Sequence, residues 1–149
     1  MNDSPISSRA LPLPRLSPVG LLADRHRNIE EVLEDVEELA RRRSFTTASK
    51  RFGELYRAID EHVQIEEDFW LPRIETAWPE RGERLEAIRA DHQDLRRQMA
   101  SVASAITAAE LAEVERAIEA LKHLLATHHA REEAEIYPAV VMLQTSGRG

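Results

Sequence analysis

Apolar residues recur at three- and four-residue steps along most of this chain, and the pattern predicts four long helices. The first runs from about Pro18 to Arg43, with Leu22, Ile29, Leu33, Val36 and Ala40 on one stripe and His26 in line with them. Ser17-Pro18 has the form of a helix start, an N-cap followed by proline at the first helical position. After a short polar connection, the second runs from about Thr47 to Leu71, with Phe52, Leu55, Ile59 and Phe69 on one side. Trp78-Pro79 and Gly82 break the pattern, so 72–81 is expected to be a loop. The third runs from about Glu83 to Ile106 on Leu85, Ile88, Leu95, Met99, Val102 and Ile106. Thr107 and Glu110 have the spacing of a capping box opening the fourth helix. That helix reaches about Tyr137, with a bend at Pro138 and a continuation through Val140 and Leu143. Short connections between long helices give an all-α fold, an antiparallel up-down-up-down four-helix bundle. Residues 1–17 are expected to form an irregular arm, 18–143 the bundle and 144–149 a disordered tail.

Composition narrows the chemistry. A chain of 149 residues is one domain by length and can bury a core. Without cysteine there are no disulfides, zinc-thiolate sites or thiol nucleophiles. A net charge of −7 argues against a nucleic-acid partner. No apolar run is long enough for a membrane span, and the N-terminus lacks the features of a secretory signal. The expected location is the cytoplasm, and no protein partner is legible.

The candidate chemistry lies in a repeat. His62 and Glu66 form a His-x3-Glu pair followed by Pro72, and His128 and Glu132 form another followed by Pro138. His26 and His92 each lie 36 residues before the histidine of a pair, so the chain reads as two helical hairpins repeated at an offset of 66. At about 100° per residue, Glu66 sits about 40° from His62, among Leu55, Ile59 and Phe69. Glu132 takes the same place beside His128, Leu121 and Leu125. A lone buried carboxylate is costly unless it is paired or binds a cation. Along an antiparallel hairpin, His26 is nearly level with His62 and His92 with His128, so all four histidines converge inside one end of the bundle. Four imidazoles and two carboxylates make a plausible set of ligands for two metal ions, suited to iron, manganese or zinc. The competing reading is a metal-free bundle whose interior histidines hydrogen-bond to the glutamates. Glu67 and Glu133 fall off the stripe and are expected in solvent, as is His123. His129 falls at the stripe's edge. Glu30 and Arg96 occupy repeat-related positions and are expected to pair beside the site. Phe69, Trp70 and Tyr137 are expected to close the bundle end by packing.

This pattern, from about His26 to Pro138, resembles the hemerythrin-like family, the HHE cation-binding domains. The resemblance implies a non-haem di-iron centre cycling between Fe2+ and Fe3+ with a bridging oxo or hydroxo group. His26, His62, His92 and His128 would be terminal ligands, and Glu66 and Glu132 would bridge the ions. Oxygen-carrying members have a second histidine one turn along the third helix, where this chain has Arg96. They have a fourth-helix Asp five residues after its histidine, where this chain has Glu132 at four and Glu133 at five. The chain is thus similar to a symmetric, histidine-poor branch in which each ion keeps an open position. The implied function is reversible binding of dioxygen or nitric oxide for sensing, delivery or scavenging. The alternatives are a di-iron enzyme acting on peroxide or an oxidisable substrate, and an iron-sensing or iron-handling protein. A metal- and gas-binding role is favoured over catalysis.

Overall fold

The computed structural model describes the backbone of residues 18–146 and the side chains of residues 28–145. The arm, the last three residues and the side chain of His26 lie outside the described residues. The elements are α1 (Pro18–Arg41), α2 (Phe45–Ile65), a wide turn (Glu66–Trp70), α3 (Leu71–Ala77), a 3-10 turn (Pro79–Arg81), α4 (Gly82–Thr107), α5 (Leu111–Glu135) and α6 (Tyr137–Ser146). Helix α1 packs on α2 and α5, and α4 packs on the same two, closing an antiparallel four-helix bundle. Its main core is one apolar cluster that includes Leu33, Val36, Phe52, Ile59, Leu95, Met99, Ile118 and Leu121. Each such side chain contributes about 1.5–3 kcal/mol on burial.

The duplication is visible in the backbone. Helices α5 and α6 begin 66 residues after α2 and α3. The two hairpin turns match bond for bond. The N–H of Ser44 bonds to the carbonyl of Leu39 and that of Arg43 to Ala40; Glu110 bonds to Ala105 and Ala109 to Ile106. Arg43 (φ 64°) and Ala109 (φ 56°) occupy the left-handed region at equivalent positions. This is the paired-bond C-cap usually built on glycine, here formed twice without it. It also corrects the expected capping box. Thr107 ends α4, and the N-cap of α5 is Glu110, whose side chain caps nothing.

A second correction concerns the expected loop 72–81. Helix continues through Pro72 to Ala77, and only Trp78 and the 3-10 turn connect the hairpins. Proline has no N–H and crowds the carbonyl four residues back. The chain widens just before it, so that the N–H of Leu71 reaches the carbonyl of Glu66, five residues away. The extra residue shifts the apolar stripe. Phe69, expected on it, is only half-buried, and Leu71 and Ile74 are fully buried instead. The Phe69 ring lies edge-on to Trp70, with the Arg73 guanidinium 3.7 Å over its centre. In the second hairpin the bend falls at Ile136, ahead of Pro138, and α6 continues to Ser146, past Leu143.

These bends build a second apolar cluster at one end of the bundle, from Leu71, Ile74, Leu85, Ile88, Ile136, Tyr137, Ala139 and Val140. Along the chain, Glu66 falls between Val63 of the first cluster and Leu71 of the second, His92 between Ile88 and Leu95, and His128 and Glu132 between Leu125 and Ile136.

Candidate metal centre

Five of the six predicted site residues come together; the sixth, His26, is on α1, with its side chain outside the described residues. Glu66, His92, His128 and Glu132 each offer one donor atom, all within 4.8 Å of one another, and all four residues are buried. His62 completes the group. Its Nε2 lies 3.0 Å from Glu66 Oε2 and 3.6 Å from Glu132 Oε2. His92 Nε2 is 2.9 Å from Glu66 Oε1, and His128 Nε2 is 3.0 Å from Glu132 Oε2. The His92 and His128 rings meet edge-on, 4.9 Å between centroids.

Distance alone would make all of these ion pairs, but orientation separates them. His62 Nε2, Glu66 Oε2, His128 Nε2 and Glu132 Oε2 are buried and, close as they are, none is aligned in a hydrogen bond. Buried polar atoms in native proteins are nearly always satisfied. Four unsatisfied donor atoms facing one space are the arrangement expected where a cation would accept their lone pairs, and nitrogen and oxygen donors suit a borderline or hard divalent ion. The residues present therefore fit a metal. The metal-free alternative accounts for the His92–Glu66 bond and for charge attraction among the other groups, but leaves these four atoms without a hydrogen bond.

Without an ion, the centre is a buried charge cluster. Burial disfavours a charged imidazole at His62, but Glu66 and Glu132 outweigh it and raise its pKa to about 10. The same competition, against Glu132 and Glu66, raises His128. Burial would raise Glu132, yet Glu66, His128 and His62 packed against it hold it well below the usual carboxylate range. Tyr137 is pushed up by burial and by the charges of Glu132 and Glu66, so its hydroxyl stays protonated.

Around this centre lie groups that stripe reasoning missed. Glu67, expected in solvent, is half-buried and bonds His92 Nδ1 at 2.7 Å. Glu66 already occupies the inward position, and the next residue faces the neighbouring helix α4 rather than water. Arg96, expected to pair with Glu30, instead reaches Asp60 at 2.9 Å and Glu67 at 3.9 Å. Glu30 is exposed, on the helix diagonally across the bundle from α4. Asp91 lies 3.4 Å from His128 Nδ1 and accepts a bond from Arg131 Nε at 2.6 Å. A carboxylate behind a histidine fixes its ring and raises its basicity as a ligand. Tyr137 donates from its hydroxyl to Glu132 Oε1 at 3.2 Å. The only sequence signal for Glu67 and Asp91 was their place next to a ligand candidate. His123 is exposed, as expected.

A cavity of about 290 Å3 opens beside the centre, with His62 and His128 in its wall. The rest of the lining is mainly apolar, including Ile29, Val32, Leu55 and Leu125, with half-buried His129 contributing as well. Among the described residues, no helix is long and apolar enough to cross a membrane.

Comparison with known proteins agrees with this geometry. Residues 17–140 match the hemerythrin HHE cation binding domain. No curated protein and no solved structure matches the chain. A match over most of the sequence, on a four-helix bundle with a buried histidine–glutamate cluster, settles the family: this chain belongs to the hemerythrin HHE cation-binding domains.

Proposed function

We propose that this protein holds two iron ions between its four long helices and binds dioxygen or nitric oxide reversibly, for sensing, delivery or scavenging. The carrying observation is the set of four buried, unsatisfied donor atoms on His62, Glu66, His128 and Glu132. His92 and His128 would serve one ion, His26 and His62 the other, with Glu66 and Glu132 shared. Manganese or zinc would be accepted by the same donors. A pair of irons supplies two one-electron oxidations from ferrous to ferric, matching a two-electron reduction of dioxygen to the peroxide level. The chain's part is to hold, orient and exclude. Glu67 and Asp91 orient the imidazoles of His92 and His128, Tyr137 donates a hydrogen bond from its hydroxyl to Glu132 Oε1, and the apolar walls of the cavity disfavour water beside the centre.

One observation favours a second reading, an enzyme acting on peroxide or an oxidisable substrate. The cavity of about 290 Å3 far exceeds the roughly 30 Å3 share of a water-sized ligand. The test is metal content per chain by elemental analysis, on protein from iron-supplemented cells, beside a His62→Ala/His128→Ala variant. About two irons per chain, lost in the variant, is the expected result. Spectra under dioxygen, nitric oxide and peroxide then separate reversible binding from turnover. Absence of bound metal from both proteins would overturn the reading.

A further inference from the structure

The two buried glutamates are related by the repeat, yet their oxygens are used differently. Glu66 divides its pair between the two hairpins. Oε1 lies 2.9 Å from His92 Nε2, and Oε2 lies 3.0 Å from His62 Nε2. Glu132 presents a single oxygen to both hairpins. Its Oε2 is 3.0 Å from His128 Nε2 and 3.6 Å from His62 Nε2. Its other oxygen, Oε1, accepts the Tyr137 hydroxyl at 3.2 Å. The repeat explains the difference. The counterpart of Tyr137, 66 residues earlier, is Leu71, fully buried and with nothing to donate. Tyr137 is itself only 5% exposed and is packed among Leu71, Ile74, Leu85 and Ile88, so its ring has little room to turn away.

We propose that Tyr137 is a positioning residue that holds Glu132 as a one-oxygen bridge, while Glu66 bridges through both oxygens. The inference rests on the two-ion reading above. A carboxylate oxygen that accepts a buried phenol has charge drawn away from the metal, and its direction is fixed by the bond. Oε1 is thereby kept out of the coordination sphere, and one position on an ion stays free for a small ligand. Without the phenol, Oε1 is free to swing inward and fill that position. The broken repeat thus gives the centre two carboxylates held in different ways.

The experiment compares wild type with Tyr137→Phe, both loaded with ferrous iron. Three quantities are read: bound iron by elemental analysis, the carboxylate stretches of 13C-glutamate-labelled protein by infrared difference spectroscopy, and nitric oxide affinity by titration. The expected result is equal iron in both proteins. Wild type shows one carboxylate with the wide splitting of one-oxygen binding. In the variant that band is lost and nitric oxide binds at least tenfold more weakly. Equal iron with unchanged bands and affinity would overturn the role of Tyr137 and leave the two-ion reading intact. Loss of iron from the folded variant alone would also overturn it, since Tyr137 would then support ligation rather than choose its mode. Failure of wild type to bind iron would overturn the two-ion reading itself.

Discussion

Stripping the metal should lower the melting temperature by an amount the structure allows to be bounded. In the metal-free chain, four buried donor atoms lack hydrogen bonds. An unsatisfied buried group costs about 1–3 kcal/mol, and mutual attraction between imidazolium and carboxylate offsets part of that. An ion that binds only the folded state contributes about 2.7 kcal/mol when free metal is 100 times Kd, and about 4.1 kcal/mol at 1,000 times. Unfolding 149 residues carries an entropy of about 0.3 kcal/mol/K. Each tightly bound ion should therefore raise the melting temperature by about 9 to 13 °C. The assay is thermal unfolding by circular dichroism, in iron-loaded protein and after exhaustive chelation, at fixed pH and known free metal. The His62→Ala/His128→Ala variant should show no metal-dependent shift. Curves for loaded and chelated wild type that agree within about 2 °C, with free metal well above the range that fills the site, would refute the argument that the buried polar layer needs a cation.

Two further outcomes follow from the groups around the centre. Glu67→Ala removes the carboxylate that fixes His92 at 2.7 Å, and metal affinity, measured by competition with a chelator, should fall about 10- to 100-fold with the fold intact. His62 has a pKa raised from its ordinary value to about 10 in the metal-free chain, so its ion pairing adds stability that is complete below about pH 6.5 and is lost as pH climbs toward 10. Urea midpoints of metal-free protein should therefore fall over that interval while those of loaded protein hold, and metal uptake at pH 7 should release protons to a weak buffer.

The centre was legible in the sequence because duplication repeats its spacing. His62–Glu66 alone is a common pair; His128–Glu132 at the same offset, with prolines in register, is not explained by helix composition. What lay beyond reach was anything decided by the neighbour rather than by the helix itself. A uniform 100° per residue sends Glu67 into solvent, but the adjoining helix places His92 beside it. The same rule keeps Phe69 on the stripe, because a turn of five residues cannot be seen in a pattern of threes and fours. Pro72 is the available clue, but a proline marks a widened turn as readily as a helix end. Arg96 illustrates a related limit. Equivalent positions in a repeat need not touch, and Arg96 takes Asp60 on the adjacent α2 rather than Glu30 on the diagonal helix. Thr107 and Glu110 had capping spacing, but α4 ran through the threonine and closed on Ala109 at φ 56°.

The polar layer also divides the hydrophobic interior into a large cluster and a small one at the end formed by α3 and α6. Such a division bears on how the molecule opens. Cooperative units in a protein follow continuity of packing, and a segment joined to the rest mainly through charged groups can exchange its amides without global unfolding. In the chelated chain, the amides of Ile74 and Val140 should then exchange faster than those of Leu33 and Ile118, though all four residues are equally buried. Filling the centre would join the two units, so that the α3–α6 end opens only when the whole bundle does. A bound ion would then act as a clasp on one end of the protein, and its loss could be read by any partner or protease that recognises that end when loosened.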